Sequence, residues 1–512
     1  MKKWFLVAIV LIAAGLSFWP TTEKSTAKQA ISISGPFEFH SRELSTNGYV
    51  FSRLQIVESL VAVDEKANPE PLLAKSWMQS KDGLTWSFML RRKVTFHNGT
   101  ELTPHIVVND LKRAQQHSGV LQQVPITNIT HDDEQVIIRL SRLYRPLLFV
   151  LAHYSTAILA PESFDDNGNI TQIIGTGPYE ITNLQMPNIV KATAYTTYWG
   201  KPANIPQLNY LSGHRPESRA LLAQSGQADI AYSIDPASME ALKNSKNLHM
   251  KVAAMPRTVM LKLNNAHPYL NNVKVRHALS LAIDRHEIAN KELGLPGSEA
   301  YQLFSPALGA WHIDGLENRH RNLAEARKLL ADAGWQLNSQ GVLQRDGKTF
   351  TLNLVTYADR PELPLIATAI QNQLKQVGVV LKVQIIDAQV IPAKQNDGTL
   401  DMALIARNYG MLSDPLPILL NDFAEHTNSA WGPMNWSSPK LLALLNTLTS
   451  ETDKFQYQRN AQLAAHLLVN EMPLIPITYY HQIIAVNKSL QHFRFDPFEL
   501  NYRVAELTLK SH

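Results

Sequence analysis

The 512-residue sequence contains no cysteine. Disulfides, thiolate zinc sites and cysteine nucleophiles are therefore excluded together. Charge is sparse: Asp, Glu, Lys and Arg make up 18% of the residues, and the net charge is only +4. No run of Lys and Arg forms the basic stripe that a nucleic-acid partner needs. Signatures of chemistry are missing too. There is no GxxxxGK(S/T) loop, no GxGxxG, no HExxH and no GxSxG. Gly175-Thr176-Gly177 brings two glycines together, but Pro178 follows and denies a backbone donor to any phosphate. That segment reads as a turn. Acidic residues are scattered, with no pair placed for acid/base work, and no HxH or HxxxH pair suggests a metal. Beyond the first twenty residues, no apolar run approaches the ~20 residues of a spanning helix.

The N-terminus is distinctive. Lys2 and Lys3 precede an apolar run from Trp4 to Trp19, and polar residues follow from Thr21 to Thr26. A basic start, a short apolar stretch and a polar exit describe an export signal. Ser25-Thr26-Ala27 and Ala13-Ala14-Gly15 are candidate cleavage sites, and an uncleaved membrane anchor is the alternative. Elsewhere strand-like and helix-like runs alternate. Trp86–Leu90 and Val136–Leu140 alternate as strands. Helical periods run over Val273–Ile288, Leu323–Ala333, Pro364–Gln376, Leu441–Leu448 and Ala461–Val469. Gly334 and Gly378 stop the second and third, and a strand is expected over Leu381–Ile386. The mixture predicts α/β lobes, with no internal repeat and no low-complexity linker. At 512 residues the chain is too long for one ordinary core.

A set of short motifs then appears in order. Leu73-Ala74-Lys75-Ser76-Trp77 leads through Asp82-Gly83-Leu84-Thr85-Trp86-Ser87-Phe88 to Phe96-His97-Asn98-Gly99-Thr100. Next come Ile174-Gly175-Thr176-Gly177-Pro178-Tyr179, Tyr198-Trp199-Gly200 and the helix ending Ser225-Gly226-Gln227-Ala228-Asp229-Ile230. Val275-Arg276-His277-Ala278-Leu279 with Ala282-Ile283-Asp284-Arg285, Asp414-Pro415 and Pro473-Leu474-Ile475-Pro476 complete it. The ordered set, over roughly residues 45 to 500, resembles family 5 extracellular solute-binding proteins of ABC importers. That family serves dipeptide, oligopeptide and nickel import. Arg257-Thr258-Val259-Met260-Leu261 with Asn264, and Leu303-Phe304-Ser305-Pro306, are similar to its nickel branch.

The resemblance implies a two-lobed periplasmic-binding-protein fold of the cluster C type, α/β, hinged and enlarged by an inserted subdomain. Residues 1–27 would be the signal or anchor. The first lobe would use 28–55, 175–265 and 490–512, the inserted subdomain 56–174 and the second lobe 266–489. The ligand would lie between the lobes of a monomer, which would close on it and dock on permease and ATPase subunits in the periplasm.

Ligand-contacting positions carry over one at a time. Arg360 stands where dipeptide binders place a carboxylate-holding arginine, and a guanidinium fork suits carboxylates. Arg407, Asn408 and Tyr409 enter the ligand loop, Tyr409 at the aromatic wall of the nickel branch, and Asp414 belongs to the same loop. Met411 stands where peptide binders hold an ammonium with an acid, so a blocked amino terminus is expected to cost no affinity. His426, twelve residues after Asp414, resembles a metal-touching histidine. Gln116 and Ala157 replace arginines of the nickel branch, with His117, His153 and Tyr154 nearby.

The expected function is capture of peptides or peptide-like ligands, without catalysis and without a cofactor. The alternative is a nickel or nickel-chelate binder, and a secreted hydrolase or a sensor reusing the fold is the third reading. One outcome tests the N-terminal reading. Fractionation of a bacterium expressing the chain is expected to recover it outside the cytosol, and full-length protein in the cytosol alone would refute export.

Overall fold

The computed structural model describes residues 30–117, 119–316, 320–358, 360–388, 390–423, 429 and 431–510. Residues 1–27, expected to form the export signal or anchor, lie outside the described residues. Among those residues no helix is long and apolar enough to cross a membrane.

Ten strands form one sheet. Its order runs Val380–Ile385, Thr351–Thr356, Met402–Asn408, Leu248–Leu263, Leu474–Asn487, Ile230–Ala231, Ala30–Gly35, Gln207–Ser212, Ile189–Ala194, Tyr179–Gln185. Leu248–Leu263 and Leu474–Asn487, of 16 and 14 residues, are the central antiparallel pair and cross from one lobe to the other. One apolar core gathers around Val259, Leu352, Ile405 and Ile475. Another gathers around Ile31, Leu208, Tyr232 and Ile484, on the other side of the crossover. A third belongs to a separate four-stranded sheet, Ala74–Gln79, Thr85–Leu90, Gln135–Leu140 and Ile126–His131 in spatial order. The architecture is thus a two-lobed α/β fold with an inserted subdomain.

Local chemistry explains the element ends. Asn322 caps Leu323–Asp332 by accepting the Glu325 N–H, and Gly334 ends it at φ +85°. The helical period from Val273 breaks earlier than its spacing predicts, at Ala282. Arg285 turns back beneath it and donates to the carbonyls of Ser280 and Ala300 at 2.9 and 2.8 Å. The Ser280 carbonyl of the last turn is thus satisfied by a side chain, so the helix need not continue.

The subdomain is fastened on two sides. On one, the buried Glu58 carboxylate accepts hydrogen bonds from Tyr198, Trp199 and Thr176 at 2.8, 2.9 and 2.8 Å. Gly175 and Gly177 permit the close approach, since an added Cβ would lie 2.2 Å from the Ile56 carbonyl and 2.1 Å from that of Gln55. On the other side, Leu412 leaves its loop and is buried in the subdomain core at 2% exposure. The Arg145 N–H donates to Thr449 O at 2.8 Å, and its guanidinium lies 3.9 Å over the Tyr457 ring. The inserted subdomain therefore touches both lobes.

Two outcomes follow from these seams. Leu412→Ala is expected to cost about 2–5 kcal/mol in urea denaturation, as a core leucine does, although it lies in a loop. An effect under ~0.5 kcal/mol, the size expected at the surface, would contradict its burial. Burial, against three hydrogen bonds and Arg91, pushes the Glu58 pKa up to about 7 from 4.5. The folded protein then holds a proton that the unfolded chain releases. That stabilisation is complete below about pH 4.5 and is lost as pH rises through 7. Thermal denaturation between pH 4 and 8 is expected to show this decline, and Glu58→Gln to flatten it.

Candidate functional site

The two crossover strands interrupt their pairing between the lobes. Ala254 pairs with His481, and pairing resumes at Thr258 with Tyr479. Met255, Pro256 and Arg257 thus face the single residue Tyr480. Proline has no N–H for a ladder, so a bulge is where a strand tolerates it. The Pro256 carbonyl accepts the Tyr409 N–H at 2.8 Å, and Arg257 pairs with Asn408 across the neighbouring strand. This break places the Arg257 guanidinium 4.9 Å from the centre of the Tyr480 ring.

A cleft of about 510 Å³ opens at the same place. Arg219 and Asp235 face it from one lobe, Arg360 and Arg407 from the other, and Arg257 and Tyr480 from the crossover. Most of the charge is already engaged. Arg219 donates to the carbonyls of Tyr232 and Gly213 at 2.8 and 2.5 Å. Arg407 grips the buried Asp422 with two hydrogen bonds of 2.7 and 2.8 Å. Glu499, at the cleft wall and 4% exposed, accepts from Arg257 at 3.2 Å and lies 3.7 Å from Arg53. Burial works to raise the Glu499 pKa, but Arg53, Arg257 and Arg360 outweigh it and leave it below the ordinary value.

Arg360 differs. Partly buried in the cleft wall, it makes no hydrogen bond or ion pair among the described residues. Its guanidinium lies 5.2 Å from the centre of the Tyr480 ring. Among the described residues no group of three or more histidine, aspartate and glutamate side chains is placed to hold a metal ion.

The residues singled out from the sequence fall into three groups. Arg360, Arg407 and Asn408 line the cleft. Tyr409, Met411 and Asp414 do not. The Tyr409 ring is fully buried in the core beside Phe304, 5.7 Å between ring centres. Met411 is 36% exposed outside the cleft. Asp414 is buried at the subdomain seam, where it accepts the Tyr457 hydroxyl at 2.5 Å and the Leu416 N–H at 3.0 Å. His426 lies outside the described residues. Sequence reasoning missed Arg53, Tyr480 and Glu499, and met Arg257 only as part of the motif similar to the nickel branch. A faint signal was present: Pro256-Arg257 interrupts an apolar strand, and a buried arginine demands partners.

The comparisons with known proteins agree with this architecture. Residues 68–429 match the family described as bacterial extracellular solute-binding proteins, family 5 Middle. The chain is 24% identical to the nickel-binding periplasmic protein of Escherichia coli K12, over 96% of each chain. It is 23% identical to the oligopeptide-binding protein AppA of Bacillus subtilis, over 91% of this chain and 88% of that one. The solved structure of NikA from Brucella suis in complex with Fe(III)-EDTA superposes with a TM-score of 0.85 at 24% identity, covering 94% of this chain and 100% of the other. A cleft between two α/β lobes, an inserted subdomain and a family match over most of the chain lead to one statement: the chain belongs to the bacterial extracellular solute-binding proteins of family 5.

Proposed function

We propose that the protein captures a small, carboxylate-bearing, amino-acid-derived solute in the interlobe cleft and delivers it to an ABC permease. The observation that carries this reading is Arg360. Among the described residues its guanidinium makes no hydrogen bond or ion pair, so its fork of donors is free to take a ligand carboxylate. A volume of about 510 Å³ fits a short peptide or a compact chelate. The protein acts as an exported, monomeric binder rather than a catalyst.

Short peptides are the first ligand class. Nickel chelated by an amino acid is the second. It is favoured by the similarity to a nickel-binding periplasmic protein along 96% of both chains, and by a structural neighbour holding a metal polycarboxylate.

Isothermal titration with tripeptides, with nickel alone and with nickel–histidine tests both. Arg360→Leu is expected to weaken the bound class by about ten- to a hundredfold, the loss of one charge-assisted contact worth roughly 1.5–3 kcal/mol. If the ligand is the chelate, His426→Ala abolishes metal-dependent binding and spares the fold. Small-angle scattering is expected to show a smaller radius with bound ligand. An unchanged affinity in Arg360→Leu would remove the observation on which the reading rests.

A further inference from the structure

Tyr480 stands between two arginines of different origin. Arg257 comes from the bulge in one crossover strand, and its guanidinium is 4.9 Å from the centre of the Tyr480 ring. Arg360 comes from the loop before helix Glu362–Lys375 in the second lobe, and its guanidinium is 5.2 Å from the same centre. Both distances are within cation–π range, which reaches about 6 Å from the ring centre. The ring thus attracts two cations that repel each other. Burial depresses the Arg257 pKa, and the like charge of Arg360 adds to the depression.

The balance of charge around the ring is incomplete. Glu499 answers Arg53 and Arg257 together, at 3.7 and 3.2 Å. Gln482 donates to its other oxygen at 3.3 Å. Glu362 also lines the cleft, but neither hydrogen-bonds nor ion-pairs with either guanidinium among the described residues. Around the ring, among the described residues, three arginines thus stand against two carboxylates, and Arg360 makes no hydrogen bond or ion pair with either. A pair of cations held beside one aromatic ring, close enough for Arg360 to act on Arg257, suits an anion with two acceptor oxygens.

We propose that Tyr480 is a positioning residue that holds Arg257 and Arg360 together as a two-armed receptor for the ligand's carboxylate, and so makes the protein select acids over their esters and amides. This rests on the carboxylate reading above and adds the residue that enforces it. The carboxylate has two sources, the C-terminus of a short peptide or the carboxylate of an amino acid chelating a metal, and they share this recognition. Tyr480 acts through the arginines: its ring fixes where they stand, and the arginines touch the ligand. Leucine at this position removes the π face, while phenylalanine keeps it.

The test uses the full chain and four probes: trialanine, trialanine methyl ester, nickel–L-histidine and nickel–L-histidine methyl ester. Affinities are measured by titration calorimetry for the native protein, Tyr480→Leu and Tyr480→Phe. The native protein is expected to bind one of the two acids at least tenfold more tightly than its ester, and which acid binds identifies the source. Tyr480→Leu is expected to lose about tenfold in affinity for that acid and less than twofold for its ester, so that discrimination collapses. Tyr480→Phe is expected to keep discrimination within about threefold of native. Equal loss for acid and ester in Tyr480→Leu would mean a merely structural ring and overturns the proposal. Loss of discrimination in Tyr480→Phe overturns it as well. Native binding of acid and ester alike overturns the two-armed receptor and leaves solute capture standing. Failure of all four probes to bind the native protein overturns the amino-acid reading itself, and the proposal with it.

Discussion

Glu499 is the counter-charge on which the centre of the molecule depends. It is 4% exposed, and it faces Arg53, from the helix Leu44–Arg53, and Arg257, from the bulge of a crossover strand. Arg53 in turn packs on Phe37 and Tyr49, with its guanidinium 4.3 and 5.2 Å from the ring centres. Removing one partner from such a cluster leaves a buried charge uncompensated, at a typical cost of 3–5 kcal/mol. The cluster joins three distant parts of the chain at the point where the strands pass between the lobes. It therefore fixes the hinge end of the cleft and the orientation of the arginine that faces the cleft.

The same logic governs the subdomain. Glu58 draws Thr176, Tyr198 and Trp199 onto one buried carboxylate, while Leu412 and Arg145 hold the opposite edge. A domain touching both lobes constrains how far they separate. The seam with three hydrogen bonds to one buried oxygen pair is the more directional of the two. The other seam combines the buried Leu412 with the contacts of Arg145 to Thr449 and Tyr457.

The motifs that gave the family its resemblance turn out to be framework. Thr176 and the Tyr198-Trp199 pair close on Glu58. Arg276 donates to the carbonyls of Met472 and Leu270 at 2.9 Å each, and Arg285 terminates its helix. Thr176, Arg276 and Arg285 are buried polar groups that find their partners within the protein.

The sequence by itself determined the lobed α/β class, the helices and strands named from their periodicity, and the family resemblance, because periodicity, capping residues and short motifs act over short spans. It also placed Arg360, Arg407 and Asn408 at the cleft. Tertiary structure alone decided that Tyr409 turns into the core and that Asp414 pins the subdomain seam. One residue along a strand reverses the face, and a bulge at Pro256 resets the register. It alone brought Arg53, Arg257 and Glu499 together, across up to 446 positions of chain. No local pattern encodes that meeting, because what selects it is the cost of a buried charge, which exists only once the chain has folded.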